Sequence, residues 1–134
     1  MWLIKSEPSS YSWEKLVKDG HTVWDGVRNY TARNNLRAMK LGDEAFFYHS
    51  NEGLEIVGIA QVIKTAYPDP SAEGDTWSVV EIAPLRKLKK PVTLAQIKGD
   101  KRLADMQLVK LSRLSVSAVT EQEWKVILEL AGDK

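Results

Sequence analysis

No cysteine occurs in the 134 residues, which excludes disulfides, thiolate zinc sites and thiol nucleophiles. Histidine is nearly absent too: His21 and His49 alone cannot furnish a histidine metal site. There is no long apolar run. The start, Met1-Trp2-Leu3-Ile4-Lys5, meets a charge almost at once, so neither a signal peptide nor a membrane span is expected. A cytoplasmic protein follows, nuclear if the source is eukaryotic. An excess of charge of one sign is also missing, with 19 basic residues against 18 acidic. Proteins that coat nucleic acid are usually far more basic, so such a partner would have to be held by a local patch and a specific pocket. No cofactor, metal or catalytic set is expected.

What is present is an ordinary globular composition, 43% hydrophobic and 28% charged, in a length that suits one domain over 1–134. Tryptophan is the exception. Five in so short a chain is high, and some should do more than pack. Around one of them, between Thr22 and Met39, planar multi-donor side chains crowd together. Val23-Trp24 runs into the turn signal Asp25-Gly26; then Arg28, Asn29, Tyr30, Arg33, Asn34 and Arg37 follow. Arginine offers a donor fork, asparagine both a donor and an acceptor, and the rings offer flat faces. These are tools for holding a flat polar ligand such as a nucleobase. The plainer alternative is that Trp24 is core and the Arg and Asn residues merely decorate a helix.

Trp2 to Glu7 reads as a strand ended by Pro8, with Trp2, Ile4 and Ser6 on one face and Leu3, Lys5 and Glu7 on the other. Lys5 and Glu7 could be a surface ion pair or part of a site. Ser12 caps a helix through Lys18, with Trp13, Leu16 and Val17 as its buried stripe and Gly20 as its stop. Asn29 or Thr31 caps a second helix whose Ala32, Leu36 and Met39 face the core. Strands follow at Ala45–Ser50, Ile56–Ile63 and Trp77–Leu88, the second with Gly58 marking a bulge or a close approach. Tyr67 to Asp75 reads as a loop, and Arg86-Lys87-Leu88-Lys89-Lys90 as the one basic run. Thr93-x-x-Gln96 and Thr120-x-x-Glu123 are capping boxes, the first opening a short helix stopped at Gly99. The second opens a helix burying Trp124, Ile127, Leu128 and Ala131. A turn or short helix is expected at Leu103–Leu108 and a strand at Leu111–Val116. The sum is a mixed α+β domain: a compact β-barrel of five or six strands with short helices packed around it.

Six blocks occur in one order: Lys5-Ser6-Glu7-Pro8, Trp24-Asp25-Gly26-Val27-Arg28-Asn29, Ala32-Arg33-Asn34, Tyr48-His49-Ser50-Asn51, Pro91-Val92-Thr93-Leu94 and Arg113-Leu114-Ser115-Val116. Together they resemble the EVE domain family over nearly the whole chain. The resemblance implies a PUA-like fold related to YTH and ASCH domains. It implies recognition of a modified base, notably modified cytosine in DNA, with RNA as the other nucleic acid in question. It also implies a nuclease or ATPase partner acting in trans; a monomer is expected. Ser6 and Glu7 follow the first strand where YTH domains place polar pocket groups, and Trp24 corresponds to a cage tryptophan. The loop at Pro70–Asp75 is short for the family.

The expected base pocket comprises Ser6, Glu7, Trp24, Tyr30, Tyr48 and Ser50. Lys5, Arg28, Asn29, Arg33, Asn34 and Arg113 are expected at phosphates or the pocket rim. Trp24 supplies a stacking face, with Tyr30 or Tyr48 opposite. A base out of its stack must regain stacking and edge hydrogen bonds. A carboxylate only accepts, so Glu7 would select an exocyclic amine. The competing enzymatic expectation is an ASCH-like hydrolase of a modified nucleoside, with Lys5, Ser6 and Glu7 imitating its catalytic trio.

Overall fold

The computed structural model describes residues 1–133. Six strands form one curled sheet: β1 (Trp2–Ser6), β2 (Thr22–Trp24), β3 (Glu44–His49), β4 (Glu55–Pro68), β5 (Ser78–Thr93) and β6 (Val116–Ala118). Their order across the sheet is β2-β5-β4-β3-β1-β6. Among the described residues only β1 and β3 run parallel, with Ile4 beside Phe47, Lys5 beside Tyr48 and Ser6 beside His49. The long β4–β5 pair shifts register at several points, and these irregularities curl the sheet into a half-barrel.

Alternation along the strands divides the core in two. Leu3, Phe46, Tyr48, Ile56 and Ile59 pack on one side against α3 (Leu94–Lys98), α4 (Gln107–Lys110) and α5 (Glu121–Leu130). There Trp124 stacks on Phe46 with ring centres 3.8 Å apart. On the other side Ile4, Phe47, Ala60 and Val80 meet α1 (Trp13–Asp19) and α2 (Tyr30–Ala38) through Trp13, Leu16, Ala32 and Leu36. Among the described residues no helix is long and apolar enough to cross a membrane.

Local signals set most helix ends. Ser12 caps α1, Asn29 rather than Thr31 caps α2, and both capping boxes form. Gly58 is a close approach: a Cβ there would lie 2.6 Å from the Trp13 ring. Four expectations need correction. Val17 is 53% exposed, because the sheet beneath α1 is covered by Trp13 and Leu16 alone. β4 does not stop at Ile63 but runs to Pro68, since pairing with β5 continues through Tyr67↔Val79 and Pro68↔Ser78. β5 likewise continues through the basic run to Thr93. The last strand is Val116–Ala118, not Leu111–Val116: it pairs with Trp2 to Ile4 of β1, and past Ser115, whose carbonyl accepts from the Lys5 amide, the register with β1 ends. The stretch expected as a turn or short helix at Leu103–Leu108 is a 3-10 turn at Lys101–Leu103 followed by α4.

Candidate nucleic-acid site

Two adjoining cavities flank the end of β1. The first, about 480 Å³, is lined by Lys5, Ser6 and Glu7, by Ser10 and Tyr11, by the segment Thr22 to Arg28, and by Ser115. The second, about 460 Å³, includes Lys5, Glu7, Tyr48, Ser50, Asn51, Leu54, Leu108, Arg113 and Ser115. Lys5, Glu7 and Ser115 line both, so the strand end is the partition between them.

In the first cavity Trp24 is half-buried. Its ring meets Phe47 edge-on, with centres 5.7 Å apart, and Tyr11 edge-on at 6.2 Å. Trp24 therefore packs on the core and still borders the cavity. The second ring here is Tyr11, fixed by a hydrogen bond from its hydroxyl to Asp19 at 2.9 Å. Ser6 donates its hydroxyl to the Tyr11 carbonyl at 2.6 Å, so toward a ligand it can only accept. Glu7 accepts from the Asn51 amide at 2.8 Å through Oε1, leaving Oε2. Two acceptors lining one cavity suit an amino group better than a carbonyl. Among the described residues no ion pair joins Lys5 to Glu7; Lys5 instead donates to the Ser112 carbonyl at 2.7 Å. Burial lowers the Lys5 pKa from its ordinary value.

The loop closing this cavity is held from below by Asp69, which is 1% exposed. Its carboxylate accepts from the Gly26 amide at 3.0 Å and from Arg28 Nη1 at 3.0 Å. It also accepts from the Ser71 amide at 2.7 Å and the Ser71 hydroxyl at 2.6 Å. Burial alone would raise the Asp69 pKa. The donors from Ser71, Arg28 and Gly26 outweigh it and hold the carboxyl down to about 2. Gly26 has φ 76°, a left-handed turn that glycine adopts freely.

The expected site residues thus separate. Lys5, Ser6, Glu7, Trp24 and Arg28 meet in the first cavity. Tyr48, Ser50 and Arg113 line the second. Tyr30, 61% exposed, stands outside both with its ring 5.0 Å from that of Trp77. Arg33 lies over Tyr30 and Arg28 over Trp77, at 4.9 and 5.7 Å. Arg33 also donates to the Thr76 carbonyl and to Asn34. Asn29 spends its side-chain oxygen capping α2. Tyr11, Ser10, Ser115, Asp69 and Trp77 were not anticipated. Tyr11 had a local signal, an aromatic next to the helix-capping Ser12; Asp69 had none.

A curled six-stranded sheet of this kind, with helices on both faces, belongs to the PUA-like class. An ASCH protein of Zymomonas mobilis matches it at TM-score 0.58 and 11% identity, a likeness of fold alone. More narrowly, residues 1–130 match the EVE domain model, and the chain belongs to the EVE domain family. Human thymocyte nuclear protein 1 is 39% identical, the match covering 96% of this chain and 72% of that protein. A crystal structure of an Agrobacterium tumefaciens protein has 48% identity and a TM-score of 0.96, covering 98% of this chain and 92% of that one. The human THYN1 protein, solved in complex with 5-methylcytosine-containing DNA, has 37% identity and a TM-score of 0.91, covering 99% of this chain and 98% of that one.

Proposed function

We propose that this EVE domain binds nucleic acid by receiving a modified base, modified cytosine in DNA first of all, extruded into the cavity beside Trp24. The observation that carries the reading is the first cavity itself. Trp24 borders it, and Ser6 and Glu7 present acceptors in its lining. The related human protein in complex with 5-methylcytosine DNA supports the same reading. Stacking on an aromatic side chain contributes roughly 1–3 kcal/mol per base.

The domain acts by binding rather than catalysis, as a single unit spanning the chain and as a monomer. The Lys5 ammonium and Ser6 hydroxyl both point to main-chain carbonyls, an arrangement that favours holding over activating a nucleophile. A nuclease or ATPase acting in trans would supply any chemistry. The test is affinity for short oligonucleotides carrying single modified bases, in the wild type and in Trp24→Ala. The variant should stay folded and lose its preference for the modified base. Retained preference in a folded variant refutes the reading; so does turnover of acylated or methylated nucleosides that vanishes in Lys5→Ala.

A further inference from the structure

The second cavity has its own chemistry. Lys5 and Tyr48 are register partners on the parallel strands β1 and β3, so their side chains leave the sheet together on the same face. Tyr48 is only 3% exposed, yet it lines the cavity, and its hydroxyl has no hydrogen-bond partner among the described residues. Burial pushes this phenol up, so it stays protonated and is an O–H donor. The ring is covered while the unbonded hydroxyl reaches the cavity, so this donor is open to an acceptor that enters there. Lys5 spends one N–H on Ser112 and keeps two. Arg113, exposed at the same cavity, makes no ion pair or hydrogen bond among the described residues. The carboxylate on the partition, Glu7, is drawn aside by Asn51. Leu54, Leu94 and Leu108 give the remaining wall an apolar character.

A neutral O–H, an ammonium and a guanidinium beside an apolar wall match a phosphate with its sugar. We propose that the second cavity holds the phosphate and deoxyribose flanking the base that occupies the first, with Tyr48, Lys5 and Arg113 as phosphate donors. This rests on the base-binding reading. The shared partition supports it, because one strand of nucleic acid can straddle the end of β1 with its base on one side and its backbone on the other. Tyr48 then serves as a hydroxyl donor and not as an aromatic wall.

The test uses single-stranded oligonucleotides with one 5-methylcytosine, in which one phosphate is replaced by a neutral methylphosphonate. The replacement is placed directly 5′ of the modified base, directly 3′, or far from it. In the wild type, one of the two adjacent replacements should weaken binding about tenfold, the worth of a charge-assisted hydrogen bond, while the distant one does much less. In Tyr48→Phe, which keeps the buried ring, and in Arg113→Gln, the adjacent replacement should lose most of its effect. The inference is overturned if adjacent and distant replacements act alike, or if the adjacent effect is undiminished in both variants. Absence of any preference for the methylated over the plain oligonucleotide instead removes the base-binding reading, and this inference with it.

Discussion

Replacing Asp69 by Asn separates what the loop clamp contributes by charge from what it contributes by shape. The carboxyl lies at about 2 in the folded protein against an ordinary 3.8. A depressed folded pKa means that the unfolded chain binds protons first, so the stabilisation is complete above pH 3.8 and fades as pH falls toward 2. The shift corresponds to about 2 kcal/mol at neutral pH, of which about 1 kcal/mol is gone by pH 3. Asn adds a geometric cost. Its amide must face either Gly26 and Arg28 or Ser71, and each side presents N–H donors. The better choice turns the amide to Ser71, whose hydroxyl can reverse while its N–H is orphaned, at about 1 kcal/mol more. Asp69→Asn should therefore lose about 3 kcal/mol at pH 7 in urea unfolding. The gap to wild type should narrow steadily from pH 5 to pH 2. Base binding should fall with it, because the released segment Asp25–Arg28 is one wall of the first cavity. A variant as stable as wild type at pH 7, or a gap constant across that acid range, would refute the clamp.

Gly58→Ala should destabilise by about 1–3 kcal/mol through overpacking against the Trp13 ring, with partial recovery when combined with Trp13→Leu; thermal melts of the three variants decide it. Glu7→Gln removes the charge at the proposed base edge and should weaken binding of modified cytosine by about tenfold. It should also raise relative affinity for a modified uracil or thymine; an unchanged ratio would mean that Glu7 only anchors Asn51. Log affinity plotted against log salt should have a shallow slope, since near-neutral charge and roughly 2–4 phosphate contacts release few counterions. A slope typical of a strongly basic coating protein would contradict this.

What could be read from the sequence was local. The capping boxes at Thr93 and Thr120 and the Gly58 approach were visible because each involves a short pattern or one telling residue. The polar crowd after Trp24 suggested a ligand surface, but not which of its side chains line one cavity. That division depends on the parallel register of β1 and β3, which sends Lys5 and Tyr48 to one face and Ser6 to the other. It also depends on α2 carrying Tyr30 away to Trp77. Asp69 was illegible for a similar reason. It supports Gly26 from 43 positions further along the chain, inside what read as a featureless loop. The bounds of β6 were missed because they are set by its partner β1 and not by its own alternation.

The place of β1 in the sheet also governs when the protein can work. The first strand of the chain sits between β3 and the last strand, with Trp2 facing Ala118 and the Met1 carbonyl bonded to the Val119 amide. During synthesis β1 can join β3 early, but its other edge stays open until β6 leaves the ribosome. Such long-range closure is slow, and an open edge invites mispairing in the interim. Ser115, which borders both cavities, arrives with that final segment. A nascent chain carrying β1 to β5 would have most of its sheet and neither cavity complete, so on the proposed reading a base can be captured only once β6 has joined β1.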